Sequence, residues 1–298
     1  MDNKAILEKL ELPKGKLRMV LDTDTYNEID DQFALTYALK SSDRLSVEAV
    51  YAAPFFNTLS SGPKDGMEKS YNEILNVMSK LGIKDTDGYV FKGSDRYLGS
   101  RETPVDTPAA RDLIKRAMSS DETLYVVAIG AITNVASALL LEPKIADKIV
   151  IVWLGGHAFH WHDTLEFNLR QDIESARVVF DSGAPVVMLP CMGVVSALTT
   201  TVPELEANIY GKSEIGTYLT DIVRRCGNGR KVFSRVIWDV SAVAYLINED
   251  WCKATLEHSP MISNDGKWCF DHNRHFIKYV YHVNRDAIFT DLFAKLSK

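Results

Sequence analysis

The chain has 298 residues, 46% of them hydrophobic and 25% charged, the profile of an ordinary folded protein with room for a sizeable core. Seventeen glycines and ten prolines exclude collagen-like and low-complexity architectures. A net charge of −6 gives no electrostatic reason to expect nucleic acid or an anionic membrane as partner; a small neutral or cationic ligand, or a metal ion, fits better.

In chain order, Lys16–Leu21 reads as a short apolar strand that runs into acids. Phe33, Ala34, Tyr37 and Ala38 share one side of a helix predicted over Asp30–Lys40. Leu45–Ala53 is a strand, and Lys64–Leu81 a helix with Met67, Tyr71, Ile74, Leu75 and Met78 on its apolar stripe. A helix over Thr107–Ser119 precedes a buried strand, Leu124–Ile129, and a helix near Asn134–Leu141. Lys148–Leu154 is a buried strand ending at Gly155-Gly156, Ile173–Ser182 a helix and Pro185–Leu189 a strand. Pro203–Ile209, Glu214–Arg225 and Asp239–Asn248 have helical character. Ala254–Tyr281 contains strand-like pieces, and Asn284–Leu296 closes as a helix. The uncharged runs Leu124–Leu141 and Ser182 up to Glu204 are broken by Gly130, Asn134, Pro185, Pro190 and Gly193, and read as strand, loop and helix rather than as membrane spans.

Alternating strand and helix units with near-continuous apolar strands predict an α/β fold, an open and mostly parallel sheet with helices on both faces. No linker-like stretch or internal repeat divides the chain, so one domain over residues 1–298 is expected. Four cysteines, Cys191, Cys226, Cys252 and Cys269, show no C-x-x-C spacing and are too few for a disulfide scaffold. They read as reduced thiols. The opening MDNKAILEKLELPKGK lacks an apolar signal core and no N-x-[ST] site occurs, so a cytoplasmic protein is expected. In open α/β sheets ligands bind beyond the carboxyl ends of the strands, here the loops after Leu21, Ala53, Ile129 and Leu154.

The first of those loops carries Asp22, Asp24, Glu28, Asp30 and Asp31. Like charges this close resist joint ionisation unless something neutralises them. A divalent cation does so, and calcium takes six to eight oxygen ligands. The plainer reading is a solvated turn with Asp30 or Asp31 capping the next helix, which accounts for one aspartate and not for four.

This segment, LDTDTYNEIDDQFAL, resembles the N-terminal signature of the inosine-uridine nucleoside hydrolase family, whose usual form is D-x-D-P-G-x-D-D-A. The stretch between Asp24 and Asp30 is two residues longer than in that form, and Thr25-Tyr26-Asn27-Glu28 replaces the Pro-Gly turn, as in a divergent branch. AIGAITNVASAL resembles the family's G-P-L-T-N-x-A stretch. WLGG with EFNLRQDIESARVVFDSGAPVVMLP resembles its Gly-Gly and E-x-N-x-x-x-D-P-E-A block, and VIWDVSAVAYLI its late H-D-P-x-A-V-A block.

The resemblance implies a nucleoside hydrolase-like fold and calcium-dependent hydrolysis of the N-glycosidic bond of a ribonucleoside, or a related N-riboside, to free base and ribose. It implies Asp24 as calcium ligand and general base, Asp31 and Asp239 as calcium ligands, and Thr133 as a ligand through its backbone carbonyl. Asp30, Asn57, Glu166 and Asn168 would hold the sugar. It further implies a homodimer or homotetramer serving purine or pyrimidine salvage.

Trp238 stands where the commonest purine-active pattern has histidine before the aspartate. Indole cannot act as a general acid, but it stacks on a base and donates one hydrogen bond. His157, His160 and His162, in the loop after Gly155-Gly156, are the candidates for the leaving-group acid. The basic run RRCGNGRKVFSR reads as a solvated charge run.

Two rivals remain open at this point. VLDTDT also fits the opening of haloacid dehalogenase-type phosphatases, with Asp22 as nucleophile, although the later strand ends lack that family's lysine and acidic pair. A calcium-dependent sugar or nucleoside binder without turnover is the other.

Overall fold

The computed structural model describes residues 2–298. Helix α1 (Asn3–Leu10) precedes a run of strand–helix units: β1 (Leu17–Thr23) and α2 (Asp30–Leu39), β2 (Leu45–Ala52) and α3 (Pro63–Lys80), β3 (Val90–Lys92) and α4 (Pro108–Met118), β4 (Leu124–Ala128) and α5 (Thr133–Leu141). β5 (Ile149–Leu154) is followed by α6 (Phe167–Gln171) and α7 (Ile173–Asp181). After β6 (Val186–Leu189) come β7 (Thr199–Thr201), α8 (Val202–Asn208), α9 (Glu214–Gly227), β8 (Ser234–Val236) and α10 (Val240–Ile247). The tail is β9 (Cys252–His258), β10 (Met261–Ile262), β11 (Trp268–Cys269), β12 (Phe276–Val283) and α11 (Arg285–Leu296).

One eight-stranded sheet has the order β3-β2-β1-β4-β5-β6-β12-β9, and the chain is an α/β protein. All its neighbours are parallel except the edge strand β9, which runs antiparallel to β12. β7 with β8, and β10 with β11, form two small antiparallel pairs.

Side chains alternate across this sheet with the two-residue period of a strand. Met19 and Leu21 of β1 and Val127 of β4 face one core, with α2, α3, α9 and α10. Val20, Val126, Ile151 and Trp153 face the other, with α4, α5 and α7. Each fully buried Val, Leu or Ile contributes about 1.5–3 kcal/mol of burial, so strands that are apolar on both faces are held between two helical layers. Among the described residues no helix is long and apolar enough to cross a membrane.

The chain leaves β1 to build β2 and β3 on one side, then returns to place β4 on the other. The strand order therefore reverses between β1 and β4, and the crevice at such a switch point is where open α/β sheets bind ligands. Gly130, just past β4, lies so close to Asp24 that an added Cβ would stand 3.1 Å from the Asp24 Cγ. Glycine there lets the β4–α5 loop close over the end of β1.

Candidate active site

The four aspartates at the end of β1 and in the loop after it are buried, and this excludes the plainer reading of a solvated turn. Asp22, Asp24, Asp30 and Asp31 are each at most 2% exposed. Nor do Asp30 and Asp31 cap α2: the N-cap is Ile29, with no side-chain cap bond. α10 likewise starts after Asp239 without a side-chain cap. The two helices pack together, so their N-terminal ends bring carboxylates from distant parts of the chain into one place. One oxygen each from Asp30, Asp31 and Asp239 lie within 4.8 Å of one another. The charge of Asp31 is among those that act on Asp24.

Both carboxylate oxygens of Asp24 and one of Asp30 are buried without a hydrogen-bond partner. Burial first, then the neighbouring acids, push Asp24, Asp30 and Asp239 well above the usual carboxylate range. Asp31 is pushed up to about 7 by burial, against the Thr23 hydroxyl that donates to it. Orphaned, crowded, oxygen-only donors are the chemistry that a hard divalent cation completes. The residues present fit such an ion.

These acids open onto a cavity of about 200 Å³. Asp24, Asn27, Glu28, Asp30 and Asp31 supply one wall, Ile129 and Asp239 adjoin them, and His157, Phe167, Met192 and Trp238 bring apolar and aromatic surface. Glu166 and Asn168 lie at the start of α6 and also line it. Glu166 accepts from the backbone N–H groups of Gly156 (2.9 Å), Asn168 (2.8 Å) and Leu169 (3.1 Å). Burial pushes it up to about 7 in spite of these bonds. Asn168 Nδ2 donates to the carbonyls of Ile129 and Leu154, both at 3.1 Å, tying the ends of β4 and β5 together. Its Oδ1 is left for a ligand.

Several expected residues lie elsewhere. Thr133 is not on the cavity: it heads α5, and its hydroxyl donates to Asp172 Oδ2 at 2.6 Å. Ile129, at the end of β4, is the residue of that segment on the cavity wall. Asn57 is one residue removed from the wall, its Nδ2 donating to Asn27 Oδ1 at 2.6 Å. Of the three loop histidines only His157 lines the cavity. His160 is exposed, and His162 is exposed and paired with Asp163 at 2.9 Å. Asp22 sits behind the site, accepting from Asn134 Nδ2 at 2.7 Å, with burial pushing it up to about 7. It does not face the cavity as a phosphatase nucleophile must.

Other cavity residues went unread in the sequence. Cys191 and Met192 follow β6, a strand end like the four singled out. Arg235, which is off the cavity wall and belongs to the basic run that reads as solvated, is instead partly buried and ion-paired with the wall residue Glu28. Asn27, next to the Glu28 already singled out with the acids, belongs to the lengthened loop itself.

Residues 19–290 match the family described as inosine-uridine preferring nucleoside hydrolase. The chain belongs to that family. The pyrimidine-specific ribonucleoside hydrolase RihB of Escherichia coli O139:H28 is 29% identical over 200 residues, 64% of this chain and 60% of that relative's length. The plant nucleoside hydrolase PpNRh1 superposes with a TM-score of 0.77 at 20% identity, over 96% of this chain and 99% of that one. A purine-preferring ribonucleoside hydrolase from Gardnerella vaginalis gives 0.75 at 20% identity, over 94% and 98%. These structures share the fold.

Proposed function

We propose that this nucleoside hydrolase family member is a calcium-dependent enzyme that cleaves the N-glycosidic bond of a ribonucleoside, or a close N-riboside, to free base and ribose. The observation that carries the proposal is the convergence of Asp24, Asp30, Asp31 and Asp239 on one cavity with unpartnered buried oxygens. Asp24, Asp31 and Asp239 would hold the ion, with the Ile129 carbonyl in place of the Thr133 carbonyl. An ion held there would supply a positive charge able to bind sugar hydroxyls and to make a nearby water more acidic.

The chain's own residues do the rest. Asp24, whose oxygens have no protein partner, takes the proton from water as its oxygen bonds to the anomeric carbon. The C–N bond breaks and its electron pair leaves with the base through an oxocarbenium-like state. Asp30 and Asn168 Oδ1 accept from sugar hydroxyls, and Glu166 keeps Asn168 in place through its bonds to the start of α6. Asn57 supports Asn27 on the wall. Trp238 offers a flat surface for the base.

We read residues 1–298 as one domain, acting as a homodimer or homotetramer in purine or pyrimidine salvage. The free cysteines suit a reducing, cytoplasmic setting. A panel of purine and pyrimidine ribonucleosides, assayed for free base and reducing sugar with calcium and with a chelator, tests the function. Release that stops on chelation and returns with calcium is expected. Calcium-dependent ribose binding with no release from any substrate would make the protein a binder instead.

A further inference from the structure

The loop after β5 holds one cavity residue from every side. The backbone carbonyl of His157 accepts from Trp268 Nε1 at 2.9 Å, and its N–H donates to Thr164 Oγ1 at 3.4 Å. Its ring stands beside Trp161, with centroids 6.1 Å apart. The Met192 N–H, from the loop after β6, donates to His157 Nδ1 at 3.4 Å. A nitrogen that accepts from a backbone N–H carries no proton of its own, so in the neutral ring the hydrogen is on Nε2. Among the described residues none takes that hydrogen, and His157 lines the same cavity as Phe167, Met192 and Trp238.

Resting on the hydrolase reading above, we infer that His157 is the leaving-group residue of this enzyme, as a fixed neutral Nε2–H donor to the departing base rather than as an imidazolium acid. As the C–N bond breaks, its electron pair moves into the base, and the negative charge is met by the Nε2–H hydrogen bond. That hydrogen is not transferred, because transfer would leave an imidazolate. The proton the base finally carries comes from solvent. A preset donor aimed at developing charge lowers the barrier without rearrangement during the reaction.

The surroundings agree with a neutral ring. Burial is the largest influence and lowers the pKa of His157, with His162 and Arg170 acting in the same direction and Asp163 opposing them. The other titratable groups of the cavity are Cys191, Glu166, Glu28 and the four clustered aspartates. His160 and His162, on the same loop, lie off the cavity wall and have no part in this role.

The test compares wild type, His157→Ala and His157→Gln, loaded with calcium, on a nucleoside that wild type cleaves and on 4-nitrophenyl β-D-ribofuranoside. Nitrophenolate is stable enough to leave unaided. His157→Ala should lower kcat on the nucleoside by about 10²–10³-fold, the worth of one donor to a developing anion, and by much less on the nitrophenyl riboside. His157→Gln keeps an N–H but cannot titrate, and its kcat on the nucleoside should lie between the other two. Equal losses on both substrates, or no loss on either, overturn the inference. So does a His157→Gln variant as slow as Ala together with a wild-type kcat that falls as a histidine deprotonates. If wild type releases neither base nor nitrophenolate, the hydrolase reading itself has failed, an outcome distinct from all of these.

Discussion

The Trp238 backbone N–H donates to Asp30 Oδ2 at 3.1 Å, joining the lead-in to α10 to the first turn of α2 across 208 residues of chain. One residue further on stands Asp239, whose carboxylate meets Asp30 and Asp31. A single hydrogen bond thus registers the two helix starts that carry the acids. Asp30→Ala should therefore weaken calcium binding in addition to slowing turnover, as isothermal titration of the variant will test. Unchanged calcium affinity would show that the Asp239 side of the cluster is positioned without it.

Asp24→Asn removes the proposed base while keeping the size of the side chain. A positioned general base typically contributes 10²–10⁴-fold, so kcat should fall by about that much, with a far smaller change in KM. Steady-state kinetics on any cleaved nucleoside will measure both. Near-normal rates would move the proton acceptor to another residue.

Without metal, the site should be less stable at high pH. A carboxyl whose folded-state pKa is raised contributes stability below its unfolded value and loses it as pH rises through the folded value. Asp31 and Glu166 are both raised to about 7 by burial, and burial with the neighbouring acids also raises Asp24, Asp30 and Asp239 well above the usual carboxylate range. The melting temperature of the chelated protein should fall between pH 5 and pH 8. The proposed calcium ion would bind the ionised form, so the rise in melting temperature on adding it should be greater at pH 8. A calcium effect that is flat over this range would mean that the buried acids are not what the ion neutralises.

Arg235 faces Glu28 and Asp30 and opposes the burial and neighbouring acids that raise Asp30. In Arg235→Met, protons should compete better with calcium. The ratio of calcium affinity at pH 8 to that at pH 6 should rise relative to wild type, as measured by titration at the two pH values. Equal changes at both would assign Arg235 a purely structural part.

Asn134 is the tie behind the site, accepting from the Ser94 N–H (2.8 Å) and hydroxyl (2.9 Å) while donating to Asp22. Asn134→Ala should destabilise the fold by about 1–3 kcal/mol for each buried group left unsatisfied, read from denaturant unfolding of the metal-free protein. A loss under that range would mean water replaces the amide.

The parallel core was legible because strands buried on both faces read as unbroken apolar runs: β4 and β5 fall within a residue of where their composition puts them. β3, three residues long at the sheet edge, has no run to show, and α6 is too short to display a helical stripe. The acids were legible because crowding of like charge has few explanations. The lengthened loop hid the part of Asn27, whose side chain meets Asn57, and the partner of Glu28, Arg235, both far off in sequence. Thr133 was misplaced because a motif marks a segment, whereas the turn from β4 into α5 decides which of its residues looks inward.

For anyone designing an inhibitor, Asn168 narrows the choice of substituent. Both hydrogens of its amide are spent on strand carbonyls, so only a lone pair remains to greet a newcomer. A hydroxyl or amine placed opposite it can be recognised; an ether, fluorine or ketone there meets oxygen with oxygen-like repulsion and should be rejected however well it fits the space.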